Sequence, residues 1–311
     1  MKNLIVNNIS RVGSLIGLLL IIVILSILSP SFLTLDNILN LLRQISINAL
    51  IAFGMTFVIL TAGIDLSVGS LLALGSALTA GMLANGMDPL LAVFLGLLIG
   101  LLLGAFNGLV ITKGKVAPFI ATLATMTIFR GATLVYTGGK PVTGLSDSFT
   151  FEMIGRGYIF GIPAPVILMI VVFIILFFIL HKTVFGRQVY AVGGNEEASI
   201  LSGIKADRVK VGVYALTGML SVLAGIILTS RLNSAQPTAG TMYELDAIAA
   251  VVIGGTSLMG GRGRISGTLI GALIIGVLNN GLNLLNVSSF YQEIVKGGVI
   301  LLAVLADRRD K

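Results

Sequence analysis

The chain has 311 residues, of which 56% are hydrophobic and only 11% are charged, whereas an ordinary soluble domain has about 25% charged residues. The apolar residues form several charge-free runs of about 20 residues, which excludes a soluble globular protein and predicts several transmembrane helices. The basic residues behind the net charge of +7 are scattered, which argues against nucleic-acid binding, and the absence of cysteine with a single His181 argues against a metal or cofactor site.

The N-terminal segment has the outline of a signal peptide, because Lys2 and Arg11 precede an apolar stretch. That stretch, residues 12–28, is long for a signal sequence. No alanine occurs before Ala49 to form a small-residue cleavage site. We therefore expect this segment to be retained as the first transmembrane span.

Ten apolar segments are candidate transmembrane spans. In chain order they are 12–29, 46–63, 66–84, 90–112, 116–136, 163–181, 209–231, 244–258, 265–285 and 289–306. They predict an all-α, polytopic membrane protein with about ten transmembrane helices in a single transmembrane domain, residues 1–311. Segment 116–136 carries Arg130, and segment 244–258 is short for a full crossing.

The orientation follows from the positive-inside rule, because Lys and Arg near the span ends accumulate on the cytoplasmic side. With the N-terminus inside, 14 of the 20 basic residues fall in cytoplasmic segments. Both termini are therefore predicted to be cytoplasmic. Two connecting segments are long, 137–162 outside and 182–208 inside. The 14 residues are Lys2, Arg11, Lys113, Lys115, Lys182, Arg187, Lys205, Arg208, Lys210, Arg262, Arg264, Arg308, Arg309 and Lys311.

Small residues recur at every fourth position in three of the predicted spans. Such ridges let helix backbones approach closely in a membrane, where dispersion packing replaces the hydrophobic effect. We interpret them as packing surfaces. The three ridges are Gly96, Gly100, Gly104 and Gly108; Gly69, Ala73, Ala77 and Gly81; and Thr217, Ser221 and Gly225.

Asp65 and Asp246 are two of the few ionisable residues within or beside the predicted spans. A charge at the bilayer centre costs at least about 2.5 kcal/mol, so each must face water or a partner. Asp65 lies in a turn predicted at the inner surface, where it can cap the helix that begins near Leu66. A proton relay is the alternative. In spans 2–5 and 7–10 the others, apart from terminal positions such as Arg231 and Glu244, are Arg130, Glu293 and Lys296.

Asn279, Asn280 and Asn283 place uncharged amides on the ninth predicted span. Amides donate and accept hydrogen bonds without trapping an ion, which suits the passage of a neutral polyhydroxylated solute. Hydrogen bonding between helices explains the same residues equally well. These three residues, together with Asp65 and Asp246, are the candidates for a translocation path.

The glycine-rich segment 260–267 is not a nucleotide-binding loop. It has neither the spacing of a dinucleotide fingerprint nor the Gly-Lys-Ser/Thr ending of a P-loop, and neither pattern occurs elsewhere in the sequence. We therefore expect a chain without an ATPase site of its own, and not an enzyme. The segment is interpreted as a flexible inner turn with two orienting arginines.

The inner segment 182–208 is predicted to contain a short helix. Asn195 can cap its N-terminus, and Glu196 and Glu197 suit its first turn. Gly203 can end the helix. A short helix between two spans offers a handle for a soluble partner, and a passive surface helix is the alternative.

Over residues 15–307 the sequence resembles the sugar-permease branch of the ABC importer membrane subunits. The stretches that carry the resemblance are ILTAGIDLSVGS at 59–70, SAQPTAG at 234–240, YELDAIAA at 243–250 and GALIIGVLNNGLNLL at 271–285. The resemblance implies ten spans, with helices 2–5 and 7–10 as inverted halves. It also implies a homodimer in the bacterial inner membrane that translocates ribose or a similar monosaccharide. The implied partners are a cytoplasmic ABC ATPase subunit and an extracytoplasmic sugar-binding protein.

The same resemblance implies that part of segment 182–208 docks on the ATPase as a cytoplasmic coupling loop. The residues concerned are Gly193, Gly194, Asn195, Glu196, Glu197 and Ala198. An ATP-driven importer subunit is the leading hypothesis. The alternative is a secondary sugar transporter driven by an ion gradient through Asp65 or Asp246. Lone carboxylates at the span edges and the inner loop favour the importer.

Overall fold

The structure, a computed structural model, describes residues 2–145 and 148–307. The helices of this part of the chain are α1 (Lys2–Leu28), α2 (Leu35–Leu60), α3 (Val68–Ala84), α4 (Pro89–Thr112), α5 (Pro118–Thr137), α6 (Phe149–Gly155), α7 (Ala164–Lys182), α8 (Val184–Gly194), α9 (Glu196–Leu201), α10 (Ala206–Leu232), α11 (Tyr243–Ile253), α12 (Ile265–Leu284) and α13 (Ser289–Asp307). An antiparallel hairpin of β1 (Tyr158–Ile159) and β2 (Ile162–Pro163) joins α6 to α7. Three residues that enter the orientation argument, Arg308, Arg309 and Lys311, lie outside the described residues.

A helix occupies each of the ten predicted spans, which agrees with an all-α membrane protein. Within residues 2–145 and 148–307, six helices are long and apolar enough to cross a membrane: α2, α4, α5, α7, α10 and α12. In contrast, α11 has 11 residues. Its length is therefore about 16 Å, whereas the hydrocarbon core of a bilayer is about 30 Å thick. The prediction that 244–258 is one continuous span is therefore wrong. The helix ends before Gly254 and Gly255, and Gly255 has a left-handed φ of 83°.

Helix α2 lies at the centre of the bundle. Every residue from Ala49 to Leu60 is buried, and α2 contacts α7, α10, α11 and α12. A helix segment that is apolar on all sides lies in a protein core or in a membrane, and here the surrounding helices bury it. The second central helix is α10, which packs against α2, α3 and α4.

The glycine ridge of α4 packs directly on the backbone of α10. A Cβ on Gly104 would lie 2.2 Å from the carbonyl oxygen of Tyr214. A Cβ on Gly108 would lie 2.6 Å from the Cα of Val211. Because only glycine permits so close an approach, the interpretation of this ridge as a packing surface is confirmed.

Helices α4, α5 and α7 form much of the outer surface. They expose large apolar side chains such as Phe94, Ile128 and Phe178, each more than half accessible. An apolar surface that extends over three helices fits contact with lipid acyl chains and not with water. The fold is therefore that of a multi-pass membrane protein.

Candidate translocation and coupling sites

A non-helical segment, residues 233–242, connects α10 to the short helix α11. Asn233 ends α10 in the left-handed conformation, with a φ of 52°. Ala235 then pairs with Val142 through two backbone hydrogen bonds of 3.0 Å. Further on, a Cβ on Gly69 of α3 would lie 2.1 Å from the oxygen of Gly240. The segment is thus packed against the bundle.

Arg130 of α5 holds this segment in place. Its Nη1 atom donates hydrogen bonds of 2.8 Å to the carbonyl oxygens of Pro237 and Ala239. The guanidinium therefore satisfies carbonyls that lie outside any helix. Sequence reasoning identified Arg130 as an intramembrane charge but not its partners, because Pro237 lies 107 residues further along the chain.

Asp246 of α11 is paired with Lys296 of α13. The Nζ atom of Lys296 lies 3.1 Å from Oδ2 of Asp246, and both side chains are largely buried. The amide of Asn279 on α12 lies beside the same carboxylate, and its Oδ1 atom is buried without a donor among the described residues. The structure thus brings two path candidates, Asp246 and Asn279, to one place.

The other two asparagines of α12 have different surroundings. Asn280 and Asn37 exchange two side-chain hydrogen bonds of 3.0 and 2.8 Å. Asn283 is exposed and accepts a 2.9 Å hydrogen bond from Gln292. Asn280 therefore makes the interhelical bonds of the alternative interpretation. Membership of these residues in a translocation path stays a prediction.

Asp65 is fully buried in the turn between α2 and α3. Its Oδ1 atom accepts a 2.9 Å hydrogen bond from the backbone N–H of Ser67 and a 2.6 Å bond from the Ser67 hydroxyl. Asn107 of α4 donates to that hydroxyl at 2.7 Å. The predicted turn is present and is buried within the bundle, and its place at the inner membrane surface stays a prediction. The turn is enclosed from two sides. The amide of Asn107 on α4 donates to Ser67, and the hydroxyl of Tyr214 on α10 donates to the carbonyl oxygen of the neighbouring Ile64.

Two helices, α8 and α9, occupy the inner segment where the sequence predicted one. The start of α9 is as predicted, because Oδ1 of Asn195 accepts a 2.9 Å hydrogen bond from the N–H of Ala198. Its end is also as predicted, since Gly203 has a φ of 86° and donates to Ile200 at 2.9 Å. Helix α8 was not predicted, because its three glycines lower helix propensity.

The two acidic residues at the start of α9 differ in role. Both carboxylate oxygens of Glu196 lie 2.7 Å from Nζ of Lys210 at the start of α10. Glu197 is exposed. The ion pair therefore fixes α9 to α10, whereas Glu197 is presented to the surroundings.

The glycines at the end of α8 lie where three backbone segments cross. A Cβ on Gly193 would lie 1.6 Å from the carbonyl oxygen of Leu60, the last residue of α2. The N–H of Gly261 donates to that same oxygen at 2.9 Å, and a Cβ on Gly261 would lie 2.8 Å from the Cα of Gly194. The interpretation of segment 260–267 as a flexible turn is therefore wrong, because the turn is packed against α2 and α8.

Tyr190 provides a second link between α8 and this turn. Its hydroxyl donates a 2.8 Å hydrogen bond to the carbonyl oxygen of Gly263. Burial raises the pKa of Tyr190 to about 12, so the hydroxyl keeps its proton at neutral pH. Helix α8 is thus fastened to the turn that precedes α12.

The far side of α9 is apolar and accessible. Ile200 is 54% exposed and Leu201 is 89% exposed. Exposed aliphatic side chains beside an acidic residue are typical of a contact surface for another protein. Sequence analysis placed the contact at residues 193–198 and did not include these two positions.

A family model described as the permease component of branched-chain amino acid transport systems matches residues 37–304. The chain belongs to this permease family. The match covers every helix from α3 to α12, including α8 and α9. The predicted family of permease subunits is therefore confirmed. No solved structure matches the chain.

Relatives of the permease are named for several monosaccharides. The ribose import permease protein of Bacillus subtilis (strain 168) is 68% identical, over 96% of this chain and 93% of its own length. The D-allose transport system permease protein of Escherichia coli (strain K12) is 44% identical, over 96% and 91%. The xylose transport system permease protein of the same strain is 38% identical, over 90% and 87%. All three are named as permeases, and none as an ATPase.

Proposed function

We propose that the chain is the membrane-spanning permease subunit of an ATP-driven ABC importer for ribose or a similar monosaccharide, delivered by an extracytoplasmic binding protein. The observation that supports this most is the 68% identity, over nearly the whole chain, to a ribose import permease. Identity falls to 44% and 38% for the allose and xylose relatives, which favours ribose. The energy comes from a partner ATPase, because the sequence has no phosphate-binding motif.

The test is uptake of labelled ribose into proteoliposomes that contain the permease with its cognate ATPase and binding protein. We expect uptake only when the ATPase is supplied with ATP, and none when the ATPase lacks its phosphate-loop lysine. Labelled allose and xylose, offered in parallel, determine the solute preference. Uptake by the permease alone under a proton or sodium gradient would establish the secondary transporter instead.

The coupling loop of this proposal is the unit formed by α8 and α9, with Gly193, Gly194, Asn195, Glu196, Glu197 and Ala198 at its centre. Two observations support it. The far side of α9 presents Ile200 and Leu201, which suits docking on a soluble subunit. Gly193 is in direct contact with α2 and the turn before α12, so displacement of α8 would move α2 and α12.

Gly193→Ala and Gly194→Ala form a matched pair that tests this contact. A Cβ at position 193 would clash with Leu60 at 1.6 Å, whereas nothing lies within 4 Å of a Cβ at position 194. We expect Gly193→Ala to lose ribose uptake and Gly194→Ala to retain it. Equal uptake by the two variants would show that α8 does not transmit movement through this contact.

Asn195→Ala combined with Glu196→Lys tests docking itself. Loss of the cap costs about 1 kcal/mol, which is small beside the packing of the bundle, so membrane abundance should stay normal while co-purification with the ATPase falls. The exchange Glu196→Lys with Lys210→Glu is the control, because it restores the ion pair that holds α9. Wild-type co-purification of the first variant would contradict a docking role.

We further propose ten membrane crossings, inverted halves, a homodimer and both termini on the cytoplasmic side of the bacterial inner membrane. The short helix α11 can complete a crossing together with the packed segment 233–242, as broken helices do in many transporters. Cross-linking in membranes, followed by mass determination, tests the dimer. A monomer at all cross-linker concentrations would contradict it.

Asn279, Asn280, Asn283, Asp65 and Asp246 remain our candidates for the translocation path, and Asn279 has the strongest support because its Oδ1 atom has no donor among the described residues. We expect Asn279→Leu to lower uptake without loss of protein. Asn280→Leu is the comparison variant, because it removes the two side-chain hydrogen bonds that join α12 to Asn37 of α2 and should lower protein abundance first. Unchanged uptake in Asn279→Leu would remove that residue from the path.

A further inference from the structure

The hairpin β1–β2 presents an aromatic side chain that is fully exposed with respect to the described part of the chain. Phe160, at the tip, is 101% exposed. Phe160 and Gly161 form the two-residue turn, with φ values of 51° and 78°. A turn with two positive φ angles favours asparagine or glycine, and a bulky residue there is a backbone outlier. The tip thus keeps a strained and fully exposed phenylalanine.

The hairpin itself is firmly placed. Pro163 is buried, and the N–H of Ala164 donates a 2.9 Å hydrogen bond to the oxygen of Gly157 across its base. The guanidinium of Arg43 on α2 lies 5.1 Å from the ring centre of Tyr158. The tip is therefore held out from the bundle on a fixed base.

The surroundings of the hairpin indicate what it contacts. It leads without a linker into the first residue of α7, and no charged residue occurs from Gly157 to Leu180. The exposed side of α7, with Ile170, Ile174 and Phe178, is apolar along its length. The hairpin therefore lies at the membrane boundary of that lipid-facing helix, at the depth where aromatic side chains gather in membrane proteins.

We propose that the hairpin β1–β2 is a lipid anchor, which inserts Phe160 into the bilayer at the end where α7 begins. Phospholipid acyl chains are the ligand, because the only polar side-chain group from Gly157 to Pro163 is the Tyr158 hydroxyl. A contact with another protein would call for polar groups at its edge, which this tip lacks. The contact with lipid accounts for an aromatic residue at a turn position that disfavours one.

The sequence offers a clean test, because it contains no tryptophan. Three single-tryptophan variants are compared in liposomes with and without brominated acyl chains: Phe160→Trp at the tip, Phe178→Trp on the lipid-facing side of α7, and Leu201→Trp on α9. We expect brominated lipid to quench the first two and to leave the third unchanged. The emission of Phe160→Trp should also lie at shorter wavelength than that of Leu201→Trp.

Tyr158→Trp is a second reporter on the same hairpin, because tryptophan keeps the contact with Arg43. Its emission should also fall in brominated lipid. The proposal is overturned if brominated lipid leaves both hairpin reporters unchanged. In that event, quenching by aqueous acrylamide would place the tip in water, and protection from acrylamide would place it against a second copy of the chain.

Discussion

Asp65 and Asp246 are both buried carboxyl groups, but their surroundings differ. Asp246 has a cationic partner, Lys296, at 3.1 Å. Asp65 forms no ion pair within the described residues. Its Oδ2 atom has no donor there, and neither has Oδ1 of Asn107 beside it. A charge is therefore compensated at Asp246 and uncompensated at Asp65.

This difference predicts opposite results for the same substitution. Asp65→Asn keeps the acceptor for Ser67, removes an uncompensated charge and adds a donor beside Asn107, so we expect unchanged or higher thermal stability in detergent. Asp246→Asn leaves Lys296 without its partner, and breaking a buried ion pair costs about 3–5 kcal/mol, so we expect loss of folded protein. Equal losses in both variants would contradict the distinction.

Among the helices, the contact between α4 and α10 depends on the absence of side chains. Gly104 lies against the backbone of α10. A methyl group there forces the helices apart, and overpacking of this kind costs about 1–3 kcal/mol. We expect Gly104→Ala to lower the unfolding temperature in detergent. Gly131→Ala on α5, where nothing lies within 4 Å of the added Cβ, should leave it unchanged or raise it, and a loss as large as that of Gly104→Ala would refute the argument.

Patterns that repeat within one helix were predictable from the sequence, whereas contacts between distant segments were not. The small-residue ridge of α4 and the cap at Asn195 depend on spacing within a few residues. The partners of Arg130 lie more than 100 residues away. For α8, the glycines lower helix propensity, and packing against α2 compensates for that loss. Tertiary contacts of this kind leave no local signature.

Arg130 predicts how the segment 233–242 behaves when its support is removed. Arg130→Met takes the donor away from the carbonyls of Pro237 and Ala239, and a hydrogen bond from a charged group contributes about 1.5–3 kcal/mol. We expect faster hydrogen exchange at residues 238–242 in this variant. Arg130→Lys should retain part of the protection. Exchange in the hairpin, residues 158–163, serves as the internal reference, and unchanged exchange at 238–242 would show that Arg130 does not hold the segment.

At the scale of the whole molecule, several of the basic residues lie at one end of the bundle. Lys113 after α4 and Asp207 at the start of α10 form an ion pair of 3.1 Å, which brings two of the basic connecting segments together. The turn before α12, with Arg262 and Arg264, is packed against α8 at the same end. Lys140 follows the end of α5, and the hairpin precedes the start of α7. Both therefore lie at the other end of these helices from Lys113 and α8. The positive-inside rule then predicts that the end with α8 and α9 faces the cytoplasm.

This orientation can be tested without background, because the chain has no cysteine. Lys140→Cys, in the exposed segment after α5, and Ser202→Cys, at the exposed end of α9, each introduce a single thiol. A maleimide that cannot cross the membrane should label Lys140→Cys in cells with a permeable outer envelope, and Ser202→Cys only in inside-out vesicles. Labelling of both thiols from the same side would show that α7 does not cross, whereas the reversed pattern would place the α8–α9 unit outside, where a cytoplasmic ATPase could not reach it.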